Sequence, residues 1–328
     1  MKYRPWGPID WALSLSSSKK WHFIGAIGTE KRSLCCWAHM RDQGVISGEL
    51  LSQIQDVDSE KYRDRTRNAL DTRQAEYLKH GGNLENIRHI DLMAEWFRID
   101  ALAREAEAAS ISVVLDITSL PKRFFFPMLR TLVASSSVKN LLITYTSPES
   151  YTNEALYEDI EPWRVLPGFG GPRSKPELWI VSIGFMVESL RDYVGDNPDE
   201  KMNVLIPFPA SLAVLRRTWQ SISNLERGHS DARFKKHRVE TLNMSSAFDR
   251  ICSLAGNSPK TVAFAPFGPK PTSAAMCLYA LQNDSSVHYP QPTIYHPDYT
   301  KGIRNNDPSA AVSAYWIKHE GEFLYAMI

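Results

Sequence analysis

Two stretches of this chain set hydroxyl side chains and a lysine around a proline: Thr118-Ser119-Leu120-Pro121-Lys122-Arg123 and Phe267-Gly268-Pro269-Lys270-Pro271-Thr272-Ser273. Each follows an apolar run and opens a helix. A helix start offers unpaired N–H groups and the positive end of a dipole, which suits an anion. Thr118, Ser119, Thr272 and Ser273 add hydroxyls, and Lys122 and Lys270 add charge. Proline in the first turn costs no donor. Two further loops belong with them: Gly28-Thr29-Glu30-Lys31-Arg32-Ser33 and Gly184-Phe185-Met186-Val187-Glu188-Ser189. Thr29 and Ser33 extend the polar lining, and Arg32 and Arg123 suit a bidentate grip on phosphate. The same residues also read as N-caps and solvated lysines. Their recurrence in two places favours a ligand. Neither a Walker A motif nor G-x-G-x-x-G is present.

Glu30 and Asp116 are the acid–base candidates in these loops. Asp116 reads equally well as a structural carboxylate. Tyr151, Tyr295 and Tyr299 follow the last strand of each series and either stack on a base or clamp their own loops. A lone His296 sits beside them. The run Arg227–Arg238 holds Arg227, His229, Arg233, Lys235, Lys236, His237 and Arg238. It reads as a connection between a helix and a strand, either solvated or in contact with nucleic acid or an acidic protein. The four cysteines form no C-x-x-C pair, and no histidines cluster near them, so neither a metal nor a disulfide framework is expected. No cofactor is expected. G-x-S-x-G and H-E-x-x-H are absent.

The elements that must position these loops alternate. Strands are expected at Trp21–Ile27, Gly44–Leu51, Ile87–Ile90, Ile111–Ile117 and Asn140–Tyr145, with helices between them. After an acidic, then Pro/Gly-rich linker the alternation restarts, with strands at Leu178–Ile183, Met202–Ile206, Arg238–Leu242, Thr261–Phe267 and Ser286–Tyr289. That pattern predicts an α/β fold of two tandem Rossmann-like halves with mostly parallel sheets, in strand order 3-2-1-4-5. Ligands then bind beyond the carboxyl ends of strands one and four, where the order reverses. The expected division is an arm at 1–20, a first half at 21–157, a linker at 158–177 and a second half at 178–328.

The halves also match in residue type. Ile27, Gly28, Ser33 and Leu34 correspond to Ile183, Gly184, Ser189 and Leu190. Val114, Pro121, Lys122 and Met128 correspond to Val262, Pro269, Lys270 and Met276, and Pro148 and Tyr151 to Pro292 and Tyr295. This order predicts an internal duplication. The halves are unequal, because Asp116 and Thr118 face Phe264 and Pro266 in the alignment.

Paired Rossmann-like halves with a polar, lysine-bearing loop after strand four resemble CARF-type sensors. The resemblance implies an oligonucleotide signal as ligand and a role in bacterial antiviral defence, with any effector a separate chain. Composition agrees with a globular protein: 43% hydrophobic, 23% charged and a net charge of +1 over 328 residues, which carries no global polyanion signature. With no apolar run of membrane length and no signal-like N-terminus, a cytoplasmic protein without membrane contact is expected. The functions expected are a nucleotide- or phosphate-binding sensor, an enzyme on a nucleotide or sugar phosphate (a glycosyl or phosphoribosyl transferase or a hydrolase), or a protein-interaction scaffold.

Overall fold

Trp21–Ile27 and Ser112–Asp116 are buried at every position, as strands covered on both faces must be. The structure, a computed structural model, describes residues 3–55, 61–152, 157–160, 162–171, 176–184, 190, 201–208, 212–228, 233–256 and 261–327. It contains two units. One holds residues 1–161 and 292–326, the other 162–291 with 327–328.

The first unit is built on β1 (Trp6–Pro8), β2 (Trp21–Ile27), β3 (Ile46–Gln55), β4 (Ile87–Asp91), β5 (Ser112–Asp116), β6 (Asn140–Thr146) and β17 (Val312–His319). Its helices are α1 (Ile9–Ser14), α2 (Cys35–Asp42), α3 (Arg63–Lys79), α4 (Trp96–Ala109) and α5 (Lys122–Ala134). The sheet order is β1-β17-β6-β5-β2-β3-β4. Strands β2 to β6 are parallel, in the expected 3-2-1-4-5 order. Strand β17 runs antiparallel to β6, from Val312 against Thr146 to Lys318 against Leu141. The N-terminal residues pack here too: Trp6 stacks on Tyr315 at 5.8 Å, and Trp316 Nε1 donates to Ala12 O at 3.0 Å.

The second unit has β9 (Val165–Gly170), β10 (Leu178–Ser182), β11 (Lys201–Phe208), β12 (Arg233–Glu240), β13 (Val262–Pro266) and β14 (Ser286–His288). Its helices include α6 (Leu212–Gly228), α7 (Met244–Ala255) and α8 (Lys270–Ala280). The order is β12-β11-β10-β13-β14-β9. Strands β10 to β14 repeat the parallel 3-2-1-4-5 arrangement, and β9 closes the edge antiparallel to β14.

Three expectations need correction. Residues 158–177 are not all linker, because β9 lies within them and β8 (Tyr157–Ile160) pairs with β15 (Pro292–Tyr295). Residues 292–326 do not complete the second sheet but return to the first, held by the β17–β6 ladder. Residues 233–237 of the basic run are not a connection but the start of the strand expected from Arg238, in parallel register with β11.

Candidate functional site

The loops after β2 and β5 meet at the switch point of the first sheet. Gly28 has no side chain where they touch: a Cβ there would lie 3.0 Å from Ser119 Cβ and Oγ and 3.6 Å from Ser33 Cβ. Ser33 Oγ donates to Gly28 O at 3.3 Å, and Thr29 follows at the rim. The Ser119 hydroxyl is shut off from solvent and has no hydrogen-bond partner among the described residues. Leaving a buried hydroxyl unmatched is costly, so this oxygen is suited to a guest. Pro121 caps α5, and Lys122 is its first helical residue. Burial pulls the Lys122 ammonium down to about 7, because desolvation disfavours its charge. Arg123 is turned aside: its guanidinium donates to Ala94 O at 2.9 Å and Met93 O at 3.3 Å, tying the start of α4 to the start of α5.

Asp116 is buried at the end of β5. Its Oδ1 accepts from Thr118 Oγ1 at 2.5 Å, Thr118 N at 3.2 Å and Thr144 Oγ1 at 3.1 Å. Thr118 N and Oγ1 are thus directed at the carboxylate, while Thr146 N donates back to Thr118 Oγ1 at 2.9 Å. This knot splices the ends of β5 and β6.

Arg32 is 4% exposed, and its fork is engaged by the protein. It donates to Thr146 O at 2.7 Å, Thr300 Oγ1 at 3.1 Å and Glu30 Oε2 at 3.1 Å. Burial, the largest single influence, opposes its charge, but Glu30 together with Tyr145 and Tyr151 outweighs burial and raises its pKa. Glu30 also accepts from Thr300 Oγ1 at 2.5 Å. Thr300 begins β16 (Thr300–Lys301), which pairs with β7 (Ser150–Tyr151). Tyr151 and Tyr299 meet edge to face at 6.2 Å, and burial holds the Tyr151 hydroxyl well above its usual pKa. Tyr295 and Tyr299 therefore lie in the first unit, with Tyr295 on β15, rather than beside the second switch point. Two contacts fasten this segment to the start of α3 and the Tyr62 that caps it: Tyr62 and His296 rings at 5.0 Å, and Arg65 with Asp298 at 2.5 Å. Thr300, Tyr62 and Arg65 carried no local sequence signal, because their partners are far away in the chain.

The second switch point is tighter. A Cβ on Gly184 would fall 2.2 Å from Phe267 O, and one on Gly268 would fall 2.9 Å from the Ser182 side chain. Gly268 N donates to Ser182 Oγ at 3.0 Å. Lys270 opens α8 behind Pro269. Ser273 Oγ donates to Pro269 O at 3.1 Å. Thr272 is buried, and its hydroxyl has no partner among the described residues. Residues 185–189 lie outside the described residues. No cluster of three or more metal-ligating groups occurs among the described residues, and none of their helices is long and apolar enough to cross a membrane.

No protein-family model matches the chain, and no curated protein matches it. Among solved structures, it is similar to a type III CRISPR defence DNA nuclease activated by cyclic oligoadenylate. That match has a TM-score of 0.50 and 10% identity, and covers 82% of this chain and 65% of the nuclease. The chain thus spans a little under two thirds of that protein's length. A structure described as a universal stress protein from Pseudomonas aeruginosa UCBPP-PA14 aligns over 85% of this chain and 95% of its own, at 10% identity, with a TM-score of only 0.25. The first likeness agrees with a Rossmann-like α/β fold and speaks to the fold alone.

Proposed function

We propose that this protein is a sensor or partner protein that binds a phosphate-bearing nucleotide at the switch point of its first unit. The observation that carries this reading is the meeting of Gly28 with the unmatched Ser119 hydroxyl at the start of α5, beside Lys122. A phosphate there would accept from the hydroxyl and restore the lysine's charge. The bonding of Asp116 to Thr118 and Thr144, and of Glu30 to Arg32 and Thr300, weighs against acid–base roles for these carboxylates. The shared strand order and the matching Pro-Lys helix starts support descent of both units from one duplicated ancestor, with the second, tighter site weakened. The nuclease similar in fold responds to cyclic oligoadenylate, which makes that molecule the first nucleotide to try and antiviral defence the setting to test, with a separate effector chain.

The test is to denature the purified protein and identify any released small molecule by mass spectrometry. Calorimetry then follows with a nucleotide panel that includes cyclic oligoadenylates. Binding that is lost in Lys122→Ala and kept in Lys270→Ala supports the reading. No retained molecule and no heat with any nucleotide overturns it.

A further inference from the structure

The second sheet ends in a strand of unusual composition. Strand β12 reads Arg-Phe-Lys-Lys-His-Arg-Val-Glu and is the terminal strand of its sheet. Alternation along a strand sends Lys236 and Arg238 to one face and Lys235 and His237 to the other. His237 bonds Asn203 on β11 at 2.8 Å. Burial lowers its pKa first, and Arg250 and Lys235 lower it further, which marks a positive local field. On the other face each exposed cation lies over an aromatic ring. Lys236 Nζ is 5.7 Å from the Trp219 ring centroid, and the Arg238 guanidinium is 5.4 Å from that of Phe208. Both rings are far out of the core, Trp219 at 41% and Phe208 at 46% exposure.

Exposed rings are normally solitary, and an aromatic and cationic pairing repeated along one strand is a feature to be explained. Some carboxylate is present: Glu226 pairs with Lys236 at 2.7 Å, and Glu240 ends the strand. No carboxylate pairs with Arg227, Lys235 or Arg238 among the described residues. We propose that this edge, with Lys236 and Arg238 flanked by Trp219 and Phe208, binds single-stranded nucleic acid. The rings offer stacking surface to unpaired bases, and the cations beside them meet the phosphates. A duplex keeps its bases stacked on one another and cannot use the rings. An acidic peptide would engage the cations and the strand edge and leave the rings without a role.

The experiment uses the full chain and fluorescence anisotropy. The probes are a labelled 20-nucleotide oligo-dT, a 20-base-pair duplex and a glutamate-rich peptide, each over a salt series. The single strand is expected to bind more tightly than the other two. Lys236→Ala and Arg238→Ala should each reduce the slope of log affinity against log salt by about 0.7. Trp219→Ala and Phe208→Ala should each weaken binding roughly tenfold and leave that slope unchanged, with Trp219→Phe largely restoring it. Thermal melts of every variant separate lost binding from lost folding. The proposal is overturned by absent binding, by folded aromatic variants that bind like the parent, or by equal or tighter binding of the duplex. Preference for the peptide also overturns it and points to an acidic protein partner.

Discussion

Lys122 and Arg32 were read alike from their residue types, and the structure gives them opposite conditions. Arg32 spends its donors on Glu30, Thr146 and Thr300, so it latches β16 to the end of β6. Removing it strands the half-buried Glu30 carboxylate. Arg32→Ala should cost about 3–5 kcal/mol in urea unfolding, as other broken buried pairs do. Lys122 instead carries a depressed pKa of about 7. A bound phosphate favours the charged amine and raises that value. Binding above pH 7 then takes up a proton, and affinity should fall about tenfold per pH unit until the pKa of the complex is passed. Calorimetry in buffers of different ionisation heat measures the uptake, and Lys122→Gln should flatten the profile. Stability without ligand follows the opposite sign. The unfolded lysine keeps its proton up to 10.5, the folded one releases it from about 7, and the unfolded chain therefore binds more protons between them. The Lys122 contribution to stability should rise with pH across that window. None of this was visible in composition, since burial is decided by distant residues.

At the scale of elements, the two glycines that follow β2 and β10 differ in what they face. Gly28 faces the Ser119 side chain at 3.0 Å, a contact that a small shift relieves, whereas Gly184 faces the Phe267 carbonyl at 2.2 Å, which is backbone. Gly28→Ala should therefore remain folded and lose nucleotide affinity at least tenfold, while Gly184→Ala should lower the melting temperature. Calorimetry and thermal unfolding distinguish the two. The strands that build these junctions were legible because β2, β5, β6 and β13 are mostly apolar and buried at every position, the mark of a doubly covered parallel strand. Strand β9 was not, and β12 was legible only from Arg238 onward. Strand β9 is written in proline and glycine, and β12 in lysine and arginine, because an edge strand has one flank outside the ladder and needs no apolar run. The candidate site was legible where its residues are neighbours in the chain, as Ser119, Pro121 and Lys122 are. It was illegible where a distant residue completes it, as Thr300 does for Arg32 and Glu30.

For the molecule as a whole, the order of elements correctly indicated two sheets of one strand order, but it misassigned the last stretch of chain. A strand series alone does not say that residues 292–326 return to the first sheet, because only the ladder of β17 on β6 records it. The consequence is that the second unit is inserted into the first through the β8–β15 pair, where Ile160 and Pro292 are register partners. Paired antiparallel residues lie about 5 Å apart, so the first unit is interrupted by residues 162–291 at one narrow gap. Replacing residues 161–291 by a short turn should then leave a foldable first unit. Pro292 has no N–H for the tightest turn, and a four-residue Gly/Asn link is the better joint. The linked protein should unfold cooperatively and keep nucleotide binding. Residues 1–161 alone lack β17, leave the apolar flank of β6 open and should aggregate. Circular dichroism, urea unfolding and light scattering on the two proteins decide the matter. A well-folded 1–161 fragment, or a linked protein that does not fold, would show that the insertion topology does not govern folding of this chain.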